Sequence, residues 1–238
     1  SCGVISTLEI LAESARLLDV DPEYRAQCLD AARRLRESLP KEDGRYVPFL
    51  GCPQKSIGVF SGKFPFNVLD KDDPALHAAW KDYMADELTY GNMYAIGSFV
   101  ASWYACWKGE GFARCGMAEE AYAAVQQAAR STGVFHEMFE INEEKVKVRP
   151  WFTTAAGVYL STVNEMLLQS DGQNIFLLPA FPGKDVSFKL SVKGGAVAEV
   201  LVSGGELRSL KLTMKDGIPS KTFQVYFCGK FYDTVTAE

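Results

Sequence analysis

The chain has 238 residues, enough for one large or two modest hydrophobic cores. Hydrophobic residues make up 47% and charged residues 23%, the balance of a globular protein, and no window is apolar enough over membrane length to span a bilayer. A net charge of -5 leaves no basic footprint for phosphates, so nucleic-acid binding is disfavoured.

Ser1-Cys2-Gly3 carries no initiator Met and no signal-peptide pattern and runs straight into helical periodicity, which reads as a cut end. Val4, Ile5, Leu8, Leu11, Ala12, Ala15 and Leu18 recur at helical spacing. Asp21-Pro22 then opens a second helix to about Leu39, whose charged side must face water. From Pro40 to Asp73 the glycines and prolines are too frequent for a helix, and the stretch is longer than a passive connection, as a functional loop would be. Asp73 as N-cap and Pro74 at the first helical position start a third helix, Ala75 to Leu88. Asn92 to Trp107 is apolar on nearly all sides, Met117 to Arg130 is amphipathic, and Thr153 to Gln169 is again apolar or small. Enclosed and half-exposed helices therefore alternate, as two concentric rings of helices or a stacked helical repeat would require.

Beyond Asp171-Gly172 the apolar period becomes alternating. Ile175–Leu178, Val186–Val192, Val197–Val202, Leu207–Met214 and Phe223–Phe227 read as strands of an antiparallel β domain. Gly194-Gly195 and Gly204-Gly205 supply positive φ for tight turns, and no helix follows them as a phosphate cradle would need. The six cysteines form no C-x-x-C pair and read as mostly reduced and structural, with a disulfide in a secreted parent left open.

The run Trp151–Ser170, a helix of small and apolar residues, passes through Asp171-Gly172 into Asn174-Ile-Phe-Leu-Leu-Pro-Ala-Phe-Pro182. Together with Leu8–Leu18, Asp73–Ala79, Tyr94–Ala105 followed by Glu119–Tyr122, and Asn164–Ser170 leading into Leu177-Leu-Pro-Ala180, this order resembles the C-terminal part of a six-hairpin (α/α)6 glycoside hydrolase. It is most similar to family 95, the α-L-fucosidase family, and more distantly to family 65. The resemblance implies a mainly α chain with a β domain: residues 1–172 as the C-terminal portion of an (α/α)6 toroid and residues 173–238 as a small antiparallel β-sandwich. It also implies inverting hydrolysis, in which an acid protonates the leaving oxygen while a second group activates water. The family's general acid and one water-positioning asparagine would lie upstream of Ser1, and Asn142 in Phe139-Glu-Ile-Asn-Glu-Glu144 stands where the family has its general-base aspartate. A closed toroid needs about twelve helices and about six are read here, so self-association or an N-terminal partner is expected to cover the open seam.

Among the residues themselves, Glu140 and Glu137 flank Met138-Phe139 and are the candidate catalytic carboxylates, since apolar neighbours raise a carboxyl's proton affinity. The alternative is that one or both are solvated loop carboxylates or helix-end partners, as charged residues mostly are. Arg149 and Trp151 straddle Pro150, where an indole could stack on a sugar face and a guanidinium could fork to hydroxyls; an aromatic plug at a helix start is the alternative. Asn92, near the weaker carboxylate candidate Glu87, completes the substrate-binding set. The partner implied is a carbohydrate. No cofactor is expected, and His77 and His136 have no ligand spacing to each other or to the cysteines, so no metal site is expected either. A non-catalytic carbohydrate-binding or assembly module is the competing expectation.

Overall fold

The computed structural model describes residues 1–52, 55–85, 95–96, 99–142 and 146–238. The chain divides into two compact units, Ser1–Val100 with Ile141–Val146, and Ala101–Glu140 with Lys147–Glu238.

The first unit begins with a helical hairpin, α1 (Cys2–Leu18) and α2 (Pro22–Glu37). Two aspartates make the reversal. Asp19, at φ 52°, ends α1 with its N–H on the Ala15 and Arg16 carbonyls, and Asp21, at φ 45°, takes the Tyr24 N–H at 2.9 Å. Short polar side chains tolerate this left-handed backbone, and Pro22 is preset for the first helical turn. Apart from Ile5 on α1, the buried residues of the pair are small, Ala12 and Ala15 on α1 and Cys28 and Ala32 on α2. The loop that follows contains the strand pair β1 (Lys41–Glu42) and β2 (Arg45–Tyr46) and a 3-10 turn at Ile57–Gly62. Helix α3 (Pro74–Ala85) starts at the expected cap, Asp73 Oδ1 accepting the Ala75 N–H at 2.8 Å. Phe60 from the 3-10 turn stacks on Trp80 of α3, ring centroids 4.8 Å apart, and meets Tyr83 edge-on at 5.7 Å. The strand pair β3 (Ala95–Ile96) and β4 (Phe99–Val100) occupies part of the stretch whose pattern predicts a helix from Asn92 to Trp107; the next helix starts only at Ser102.

In the second unit, α4 (Ser102–Arg114) packs against both α5 (Ala118–Arg130) and α6 (Thr153–Leu167), and those two also touch. The short strands β5 (Glu140–Ile141) and β6 (Lys147–Val148) pair between α5 and α6 in sequence. Helix α6 runs directly into β7 (Leu168–Ser170), then come β8 (Asn174–Leu177), β9 (Val186–Ser191), β10 (Ala196–Ser203), β11 (Glu206–Met214), β12 (Lys221–Phe227) and β13 (Lys230–Ala237). Strands β9, β10 and β11 form an antiparallel meander, turned at Gly194-Gly195 (φ 106° and 96°) and Gly204-Gly205 (φ 64° and 80°). The other sheet has the order β13-β12-β8-β7. Both sheets share one apolar cluster, to which Ile175, Leu177, Ala198, Val200, Phe223 and Val225 contribute.

This architecture corrects the expected fold class, part of an (α/α)6 toroid followed by a small antiparallel β-sandwich. Among the described residues six α-helices and one 3-10 helix are interrupted by three short strand pairs, and they fall into two units instead of one run of alternating layers. The enclosed character of α4 comes from its central place among three helices, not from an inner ring. Strands β8 and β12 run parallel, Ile175 opposite Val225, so the β part is not purely antiparallel. Periodicity states how much of a helix or strand is buried; it does not name the element that buries it.

Candidate functional site

The sequence candidates Glu137, Glu140, Arg149 and Trp151 all lie in the second unit, on a hairpin between α5 and α6. Its first arm leaves α5 at Ser131, whose hydroxyl lies 2.9 Å from the Ala128 carbonyl and 2.8 Å from the Ser102 hydroxyl, an anchor buried in the helical cluster. A tight loop follows. The Gly133 N–H donates to the Glu137 carbonyl at 2.9 Å, the His136 N–H to the Gly133 carbonyl at 3.1 Å, and the Phe135 N–H to Glu137 Oε2 at 2.8 Å. A side chain on Gly133 would overlap the Glu137 carboxylate and displace it from its place in the loop. Glu137 therefore closes its own loop, which is a structural task for a residue read from sequence as a catalytic candidate.

Glu140 lies half-buried on β5. The returning arm, β6, leads into Arg149-Pro150-Trp151, and both residues flanking the proline are left-handed, Arg149 at φ 49° and Trp151 at φ 64°. A left-handed backbone costs a residue with a Cβ roughly 1 kcal/mol or more. Here the Phe152 N–H, donating to the Met138 carbonyl at 3.0 Å, ties the returning arm to the first one and holds the bend. The bend turns the Trp151 side chain outward, 66% exposed, and Arg149 is exposed beside it in sequence. Lys147 of the returning arm reaches the first, its Nζ 5.1 Å from the centre of the Phe139 ring and 3.4 Å from the Thr132 carbonyl. The backbone tie brings the Glu137–Glu140 arm and the Arg149–Trp151 arm together, with an aromatic face, a guanidinium and a carboxylate on one small hairpin.

Asn142, the residue standing where the resemblance puts a general-base aspartate, takes the Val146 N–H on its side-chain oxygen at 3.0 Å, and its own N–H donates to the Val146 carbonyl at 3.1 Å. Its amide closes a turn. Asn92, and with it Glu87, lies outside the described residues.

Two further features were not named as sites by the sequence. In the first unit the loop after α2 encloses a cavity of about 300 Å³ with mostly apolar walls, among them Val47, Pro48, Val59, Phe66 and Leu69; the Tyr46 hydroxyl on its wall already donates to Asp73 Oδ2 at 2.8 Å. In the second unit Glu110 of α4 is a fully buried carboxylate facing Glu165 of α6. Burial pushes Glu110 up to about 7 and also raises Glu165. The available signal was a lone Glu inside Ser102-Trp-Tyr-Ala-Cys-Trp-Lys-Gly-Glu-Gly-Phe112, where nearly every neighbour is small or apolar. Among the described residues no group of three or more His, Cys, Asp or Glu is placed to hold a metal ion, and no helix is long and apolar enough to cross a membrane. Compared with known protein families and with curated proteins, the chain matches no family model and no curated protein.

Proposed function

We propose that this chain recognises carbohydrate through the second unit's segments 133–140 and 147–152, as part of a protein whose complete form hydrolyses glycosidic bonds by inversion. The observation that carries the reading is Trp151: a large indole, 66% exposed, on a backbone left-handed at both residues flanking Pro150. Strain and exposure of this kind, held by a fixed hydrogen bond, suit a binding platform better than a core plug. An indole stacks on the C–H face of a pyranose, and a neighbouring guanidinium and carboxylate hydrogen-bond its hydroxyls. Glu140, half-buried on β5, is the carboxylate assigned that role; Glu137 has the structural task of holding the Phe135 N–H.

The hydrolytic half of the proposal rests on the resemblance. Inversion needs two groups about 6.5–9.5 Å apart across the scissile bond, and the resemblance puts the acid upstream of Ser1. The chain by itself should accordingly bind saccharides with little or no turnover. The test is a panel of methyl and p-nitrophenyl glycosides, read by tryptophan fluorescence and by p-nitrophenol release. Binding that disappears in Trp151→Ala, with unchanged far-ultraviolet circular dichroism, supports the reading. Absence of binding across the panel, or binding indifferent to Trp151→Ala, overturns it; robust turnover abolished by Glu140→Gln would instead make the chain a complete enzyme.

A further inference from the structure

Helices α4 and α6 meet along a seam that is polar at intervals. On α4, Cys106, Glu110 and Arg114 follow one another a turn apart, and α6 offers Ser161, Thr162 and Glu165. At one end the Thr162 hydroxyl lies 3.1 Å from the Cys106 carbonyl and 2.8 Å from the Val158 carbonyl. At the other, the Gln169 amide donates to the Ala113 carbonyl at 2.8 Å, and Arg114 faces Glu165 at 3.5 Å. Between these two fastenings sits Glu110, with no solvent exposure; the Ser161 hydroxyl approaches its carboxylate, but neither carboxylate oxygen meets full hydrogen-bonding geometry with a partner among the described residues.

An ionised carboxylate in such a place would carry much of its desolvation cost, which favours the neutral form. The groups acting on it are few. Burial raises its proton affinity most; the Ser161 hydroxyl of α6 lowers it, the Glu165 carboxylate of α6 raises it, and the Arg114 guanidinium of its own helix lowers it. Cys106, one turn earlier, is pushed up to about 12 by burial and stays a thiol. From α5, the other helix packed on α4, no titratable group is among those acting on Glu110; polar contacts between α4 and α5 include Lys108 Nζ donating to Gln127 Oε1 at 2.7 Å and the Ser102 hydroxyl donating to the Ala128 carbonyl at 3.1 Å.

We propose that the Glu110–Glu165–Arg114 seam is a pH-sensitive latch, closed while Glu110 carries its proton and loosened between α4 and α6 when Glu110 ionises. The direction follows from linkage. A carboxyl pushed up to about 7 from its ordinary 4.5 binds its proton more tightly in the folded chain than in the unfolded one. Stability is therefore greatest below about pH 4.5, falls as pH rises toward 7, and has lost this contribution above it.

Carbon-13 carboxyl NMR of the whole chain reads the Glu110 midpoint directly, and hydrogen exchange of α4 and α6 amides, corrected for the intrinsic pH dependence, reads the seam. The expected result is a Glu110 midpoint near 7, exchange in both helices rising through the same range, and a flat corrected profile in Glu110→Gln. Glu165→Gln, which removes the facing like charge, should lower the Glu110 midpoint, and it keeps the test available should Glu110→Gln fail to fold. A Glu110 midpoint in the ordinary carboxylate range, exchange rising identically in Glu110→Gln, or a midpoint unmoved by Glu165→Gln would each overturn the latch.

Discussion

Adding one methyl group at Gly109 and at Gly157 should have opposite effects, although both glycines lie inside helices of the same cluster. Glycine in a helix interior costs about 1 kcal/mol relative to alanine, so propensity alone favours both substitutions. At Gly157 of α6 a Cβ meets nothing within 4 Å, and Gly157→Ala should stabilise by about 0.5–1 kcal/mol. At Gly109 of α4 the same Cβ lies 3.0 Å from Thr162 Cγ2 and 3.1 Å from Ala124 Cβ, where α5 and α6 both approach. Neither neighbour can yield easily: the Thr162 hydroxyl is held by two carbonyls, and Ala124 moves only with its helix. Overpacking of this kind costs about 1–3 kcal/mol, which exceeds the propensity gain and leaves Gly109→Ala destabilised by about 1 kcal/mol. Native-state hydrogen exchange of the α4 and α6 amides is the suitable assay, because two compact units need not unfold in one transition. If Gly109→Ala proved as stable as Gly157→Ala, the close approach of the three helices would be wrong.

Two other outcomes follow from the β part. Phe223 is fully buried on β12, opposite Val235 of β13, and Phe223→Ala should cost about 3–5 kcal/mol, read by native-state hydrogen exchange of the β12 and β13 amides; a loss under 1 kcal/mol would mean that the shared core of the two sheets is mispacked. Asp171 accepts the N–H groups of Gln173 (2.9 Å) and Asn174 (2.8 Å) and the Asn174 amide (2.7 Å), and although burial pushes its carboxyl up, these bonds together hold it below its ordinary 3.8. Its contribution is present above that value and lost as pH falls through the lower folded one, so Asp171→Ala should cost roughly 1 kcal/mol at pH 7 and flatten the acid limb of the stability profile below pH 4; an unaltered limb would refute the assignment.

The local features were legible because each depends on residues only a few positions apart. Asp21-Pro22 and Asp73-Pro74 start helices where a short acidic side chain and a preset φ dictate, and the paired glycines turn strands where positive φ is needed. Helical character ends at Leu167 and strands follow, close to the change of period near Gln169. The hairpin candidates were legible as types, a solitary Trp and Arg around a proline and two carboxylates among apolar residues, but their roles were not. Only the fold binds Glu137 into its own loop, links Met138 to Phe152 and turns Trp151 outward. Strand β13 escaped detection since its residues are mostly exposed and lack a clear alternation, and the parallel pairing of β8 with β12 joins segments about fifty positions apart that carry no mark of each other. Glu110 shows the same division most clearly: a glutamate on a helix is ordinarily solvated, and its burial was decided by the packing of α6 across it, a distant contact that neither propensity nor period encodes.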